Sequence, residues 1–255
     1  MDFFKKNWKL IFVALILGSL GLGSYVWKWE FRRPLLEVHF FSLNRGRAIF
    51  VRTPENKTVL IGGGQNSEVI RELTTAMPFY SRKIDYVIIP SAVPAQIGGL
   101  IEVVDRYEVG EIIAPKLIAT STILAQLLKE IRKKKIHIEE VERGDEARVG
   151  EMKLKILFPY EGFKYNKSSL PELGVEVSYR EASAYLIGNL SKAVQKDILK
   201  STMPNKKNII EFFNSMADGR VLDELLEVVD PEFVFSTKEK TAHLVSDGLF
   251  WERIK

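Results

Sequence analysis

The run LIFVALILGSLGLGSYV, Leu10 to Val26, holds 17 residues without a charge, and that stretch decides how the rest of the chain is organised. Lys9 and Lys28 bracket it, and Trp8, Trp27 and Trp29 stand at its two ends. At about 1.5 Å per residue, a helix from Trp8 to Trp27 reaches roughly 30 Å, the thickness of a bilayer's hydrocarbon layer, with tryptophans at both interfaces. The expected organisation is a basic tail over residues 1–9, a transmembrane helix over 10–27, a linker over 28–35 and one folded domain over 36–255. A cleaved signal peptide is the competing reading, but no A-x-A-like site follows the run. Lys5, Lys6 and Lys9 face Lys28, Arg32 and Arg33 across the span, so the positive-inside rule is nearly balanced. The free amino terminus tips it toward an amino terminus inside, a single pass and an extracytoplasmic domain. Ser19 and Gly23 have the small-xxx-small spacing that can pack two such helices together, but Gly is common in such helices and a plain lipid-facing helix is the favoured reading, which leaves the membrane as the expected partner and self-association as an alternative.

The 255 residues contain no cysteine, so disulfides and thiolate metal sites are excluded, and any metal must be held by His, Asp or Glu. The pI near 9 suggests nucleic acid until the charge is located. Through Trp29, Lys5, Lys6, Lys9 and Lys28 stand against Asp2, a net of +3 from a total of +4. The remainder is close to neutral, and bulk charge gives no support for a dedicated phosphate binder.

From Leu36 the pattern changes to short β runs, LEVHFFS, GRAIFVRT and KTVLIGG, with Pro54 to Lys57 as a hairpin connection. Helices are predicted over 67–76, 95–106, 120–135, 191–200 and 220–229. Strands are predicted over 83–90, 111–115 and 136–141, a pair over 147–158, a strand pair or bent strand in VEVSYREASAYLIGN, and strands at NKKNIIEFF and FVFST. Residues 161–173 read as a surface connection. The fold class is mixed, α/β (α+β).

The runs LEVHFFSLNRGRAIFVRTPENKTVLIGGGQN and KIDYVIIPSAVPAQIGGL resemble the opening of the metallo-β-lactamase-fold domain found in ComEC-type DNA-uptake proteins. Gly46, the TPENKTVLI hairpin, Gly63-Gly64 and Ile97-Gly98-Gly99-Leu100 match its framework. AYLIGN and DELLEVVDPEFVFST carry the likeness more weakly to the end of the chain. The resemblance implies an αββα sandwich over 36–255.

The departures fall on the chemistry. In that family clustered His and Asp side chains hold divalent ions, usually zinc, that deprotonate a bound water near neutral pH. Here Ser91 and Val93 stand for the two histidines of the H-x-H motif, Ala95 for its Asp and Gln96 for the following His. Asn189 stands for a bridging Asp, Phe212 and Phe213 for paired histidines, and Gly62 for the Asp of I-D-G-G. His243 matches the family's terminal ligand. These nine positions form the expected vestigial pocket, with no catalytic residue and no metal cofactor. His39 reads as a core or edge residue and His137 as solvated. Gly62 to Gly64 read as an inherited turn, because no Walker lysine or G-x-G-x-x-G pattern follows.

The expected function is a catalytically inactive, membrane-anchored domain with a binding or assembly role, with a membrane channel, a second copy or DNA as partners. One alternative is a hydrolase or phosphodiesterase with a divergent or metal-free site. The other is a nucleic-acid-binding module using Arg45, Arg47 and Arg52 on the first hairpin.

Overall fold

The computed structural model describes residues 17–19, 21, 35–119, 121–163, 172–188, 190–201, 207–212, 223–235 and 241–254. The chain divides into two units, Met1–Pro34 and Leu35–Lys255. Of the first, only Leu17, Gly18, Ser19 and Gly21 are described, all helical, so the expected transmembrane helix over 10–27 lies almost wholly outside the described residues. Among those that are described, no helix is long and apolar enough to cross a membrane.

The second unit opens with β1 (Leu36–Ser42), β2 (Arg47–Arg52) and β3 (Thr58–Ile61), an antiparallel meander. The turn into β3 is closed by Thr53 and Lys57, with Asn56 at a φ of 62°. After α1 (Glu68–Ala76), β4 (Lys83–Ile88) pairs in parallel with β3. Next come α2 (Pro94–Ile97), α3 (Leu100–Arg106), β5 (Glu108–Ala114), α4 (Thr122–Lys134) and β6 (His137–Glu140), which continue the parallel half. Helix α4 shows why these segments are helical: Leu124, Leu127 and Ile131 share one buried face. The Ser121 hydroxyl accepts the Leu124 amide, and Lys135 ends the helix in the left-handed region at φ 57°.

The second sheet begins with β7 (Glu146–Val149), β8 (Met152–Phe158), β9 (Gly174–Tyr179) and β10 (Ala182–Gly188), all antiparallel. Past α5 (Lys192–Ser201), β11 (Lys207–Phe212) joins β10 in parallel, and after α6 (Asp223–Val229) β12 (Phe233–Phe235) joins β11. A closing hairpin, β13 (Ala242–Ser246) and β14 (Trp251–Ile254), returns to the first sheet beside β1. Among the described residues the sheet orders are β14-β13-β1-β2-β3-β4-β5-β6 and β12-β11-β10-β9-β8-β7. The outermost strands of the larger sheet are exposed and charged, with Glu139 and Glu140 on β6 and Glu252 and Arg253 on β14.

Three apolar layers hold these parts together. Val38, Phe40, Ile49 and Val51 of the large sheet meet Leu154, Val177, Leu186 and Phe235 of the small one. Phe40 stacks on Phe235 across this layer at 4.3 Å. The opposite face of the large sheet buries Phe41, Phe50 and Val87 under α1 to α4, and the small sheet's outer face buries Tyr185 and Ile187 against α5 and α6. The layering is αββα, as the resemblance implied.

Two details differ from the sequence expectations. The single helix predicted over 95–106 is interrupted at Gly98-Gly99, where the Gly99 amide donates to the Gly64 carbonyl at 3.1 Å and other backbone packs too closely for a side chain. A Cβ at Gly98 would lie 2.0 Å from the Gln65 carbonyl, and one at Gly99 would lie 2.1 Å from that of Gly63. The closing hairpin was not anticipated, and the ambiguous VEVSYREASAYLIGN segment is a strand pair, turning at Arg180 and Glu181.

Candidate functional site

The loop after β4 is where the resemblance places several metal ligands, and its described residues are engaged in structural contacts. Ser91 is 4% exposed, and its hydroxyl accepts the Val93 amide at 3.2 Å, so it is engaged in the turn with no base touching it among the described residues. Val93 and Pro94 start α2, and Ala95 supplies the carbonyl against which Gly46 packs. Gly46, at φ 89°, is required there, because a Cβ on it would lie 1.7 Å from the Ala95 oxygen. Glu172 pairs with Ser91 and the Leu173 amide donates to the Pro90 carbonyl at 2.7 Å, laying a further segment against the loop.

Gly62 and Gln96 come together with Arg47. A Cβ at Gly62 would meet the Arg47 carbonyl at 3.0 Å and the Gln96 Oε1 at 3.4 Å. Arg47, Gln96, Pro90, Leu173, Leu186 and Gly188 line a cavity of about 20 Å³ between the sheets, room for about one water. The Gly62, Gly63 and Gly64 amides donate to the carbonyls of Ile88, Gln96 and Arg47, so the triplet is a fold turn and offers no free cradle for an anion. The described residues at these positions offer few donors to a metal. Val93 and Ala95 carry no donor, Ser91 is engaged, and a guanidinium stands beside the cavity where a divalent ion would need carboxylates. Asn189 and Phe213 lie outside the described residues. Phe212 ends β11, and its side chain is likewise outside the description.

The arginines expected to share one binding surface are separated. Arg45 is exposed in the β1–β2 turn, whereas Arg47 is 4% exposed and points between the sheets. Arg52 lies on the other face of β2, where its Nη2 reaches Glu37 at 2.5 Å. An odd spacing along a strand places two side chains on opposite faces, which is why proximity in sequence misleads here.

His243 is placed apart from the loop after β4. In β13 it lies directly opposite His39 of β1, on the face turned away from the inter-sheet layer that takes Val38, Phe40 and Leu244. Glu37, two residues before His39, shares that face. The two imidazoles stack at 3.8 Å, and their Nε2 atoms lie 3.4 Å (His39) and 3.6 Å (His243) from the Glu37 Oε2. One ligand atom from each of the three residues falls within 4.8 Å of the others. Burial pushes the Glu37 carboxyl up, but the His39 hydrogen bond and the Arg52 guanidinium outweigh it and hold the group below its ordinary value. Burial, with the neighbouring His39 ring, holds His243 below the usual imidazole value and so favours its neutral, donor form. The expectation of no metal cofactor therefore does not stand for the whole chain: a donor set exists, built by strand pairing and invisible to a motif. His137 is exposed, as expected, 3.8 Å from Glu111.

No protein-family model matches the chain, and no curated protein matches it. Solved structures do. YhfI from Bacillus subtilis, a metallo-β-lactamase fold protein, superposes with a TM-score of 0.54 at 11% identity over 80% of this chain and 85% of that one. Tm1679, a metal-dependent hydrolase of the β-lactamase superfamily, gives 0.52 at 12% identity, over 78% and 86%. CmlA, a diiron β-hydroxylase from Streptomyces venezuelae, gives 0.50 at 16% identity over 78% of this chain, which spans only 44% of that protein. Identities this low carry the fold and not the chemistry. The residues from Leu35 onward have the metallo-β-lactamase fold.

Proposed function

We propose that this chain is a membrane-anchored, ComEC-like domain that has kept the metallo-β-lactamase fold for binding or assembly, in a setting such as DNA uptake, and has given up hydrolysis at the family's centre. One observation carries the reading: around the loop after β4, the described side chains are neutral or apolar apart from the Arg47 cation, and the cavity they line holds about one water. Loss of the metal is compatible with folding because apolar burial between and outside the sheets stabilises the sandwich. The uncharged run over residues 10–26 and its flanking tryptophans support attachment to a membrane with the domain outside.

The test is an assay of purified full-length protein in detergent on a chromogenic phosphodiester with added zinc or manganese. No turnover above background is expected. Turnover lost on adding chelator and lost again in Gln96→Ala would overturn the reading. A second reading, a hydrolase with a rearranged centre, is favoured by one observation, the Glu37, His39 and His243 set, since two imidazoles and a carboxylate leave an ion a position for water. Turnover lost in His243→Ala but kept in Gln96→Ala would select it. DNA retention at low salt that disappears in Arg45→Glu would identify nucleic acid as the bound partner.

A further inference from the structure

We infer that Glu37, His39 and His243 form a binding site for a single zinc-class divalent ion on the outer face of the large sheet, joining β1 to β13. Residues i and i+2 of one strand, with the residue opposite on its neighbour, project from one face at separations of a few ångströms. That is how a pleated sheet presents three donors to one ion. Glu37 and His39 supply the first two, and the pairing of His39 with His243 supplies the third. Both Nε2 atoms already face the same Glu37 oxygen.

A second observation concerns the hydration of one of these nitrogens. The His243 Nε2 is buried and has no hydrogen-bond partner among the described residues. With the Glu37 oxygen at 3.6 Å, beyond hydrogen-bond reach, that nitrogen has little in place of its hydration, and an ion coordinated there supplies a strong interaction. The rings are stacked with 16° between their planes, so one of them must swing out of the stack for both in-plane lone pairs to meet one ion at about 2.0–2.1 Å. Two imidazoles and one carboxylate are a donor set that zinc accepts, whereas magnesium and calcium prefer all-oxygen shells.

Arg52 sets the strength of this site. It faces Glu37 across β1 and β2 and lies against the same carboxylate as a resident cation. An ion must share Glu37 with it or displace it, so removing the guanidinium tightens binding. The ion fastens the closing hairpin to the first strand of the domain, and the site stands independently of the loop after β4.

The experiment uses full-length protein in detergent, stripped with chelator and dialysed against micromolar zinc. Bound metal is measured by atomic emission and the melting temperature with and without zinc. Wild type is expected to retain one zinc per chain and to melt higher with it. His39→Ala and His243→Ala lose both effects, Glu37→Gln weakens them while conserving side-chain size, Arg52→Met strengthens them, and Ser91→Ala with Gln96→Ala keeps them. Circular dichroism without zinc identifies any variant that fails to fold, and Glu37→Gln and Arg52→Met then decide the matter. Absence of zinc uptake by folded wild type, or undiminished zinc in folded His39→Ala/His243→Ala, would overturn the site. Zinc that leaves with Ser91→Ala and Gln96→Ala instead would also overturn it and would refute the reading of the loop after β4.

Discussion

The loop after β4 and the outer face of β1 and β13 are opposite outcomes in one domain. In the first, residues at the positions where the resemblance puts metal ligands serve as turn and packing elements: Ser91 accepts the Val93 amide, Ala95 lies against Gly46, and Gln96 lines a small cavity with Arg47. In the second, two residues outside any motif, Glu37 and His39, meet His243 and gather two imidazoles and a carboxylate within 4.8 Å. The contrast separates two questions that a motif search merges. One is whether a chain keeps its ancestral centre; the other is whether it has donors that meet anywhere.

The sharpest way to break the contrast is at Gly46. Gly46→Val forces a side chain into the Ala95 carbonyl at a positive φ, and a loss of at least about 3 kcal/mol is expected in urea unfolding. A loss under about 1 kcal/mol would mean that the loop is loosely held rather than locked by packing. Next in size is metal stabilisation. Zinc at roughly 100 times its Kd adds about 2.7 kcal/mol to wild type and nothing to His243→Ala, read from the same unfolding curves. Equal gains in both proteins would place the ion elsewhere. Ser91→Ala removes the acceptor for the Val93 amide and is expected to cost about 1 kcal/mol with no change in zinc-dependent melting.

The smallest effect lies in the other sheet and serves as a control. Burial raises the Glu176 carboxyl above its ordinary value, against the pull of Lys155 and hydrogen bonds from Ser183 and Tyr185. The folded state therefore prefers the protonated acid. Its contribution is fully present below the unfolded-state value near 4.5 and is lost as pH rises through the folded-state value. Glu176→Gln should accordingly be more stable than wild type at pH 7, with the gain vanishing at pH 4. A gain that persists at pH 4 would show that ionisation is not its cause.

Much of the fold was legible because it is written in local pattern. The alternation in LEVHFFS, the face of Leu124, Leu127 and Ile131, and the run KIDYVIIP declare their elements without reference to the rest of the chain. The Gly98-Gly99 interruption was not legible, since it answers to the Gln65 and Gly63 carbonyls, which the sequence does not place nearby. At the loop after β4, residue types alone show that Val93 and Ala95 have nothing to donate. The burial of Arg47 was hidden by its neighbours: the spacing to Arg52 looked like one basic patch and proved to be two faces of β2. The histidine pair was beyond sequence reasoning, because His39 and His243 meet only through pairing between the first strand and the closing hairpin. The sequence signal that bears on it is the even spacing of Glu37 and His39, which places two donors on one strand face.

The charged outermost strands of the large sheet have a consequence for association. Unpaired strand edges invite another chain to extend the ladder, and glutamates at both margins, with Arg253 at one, oppose that addition by keeping hydrated charge where a flat apolar neighbour would have to lie. Copies concentrated together on a surface would thus be discouraged from zipping into continuous ribbons.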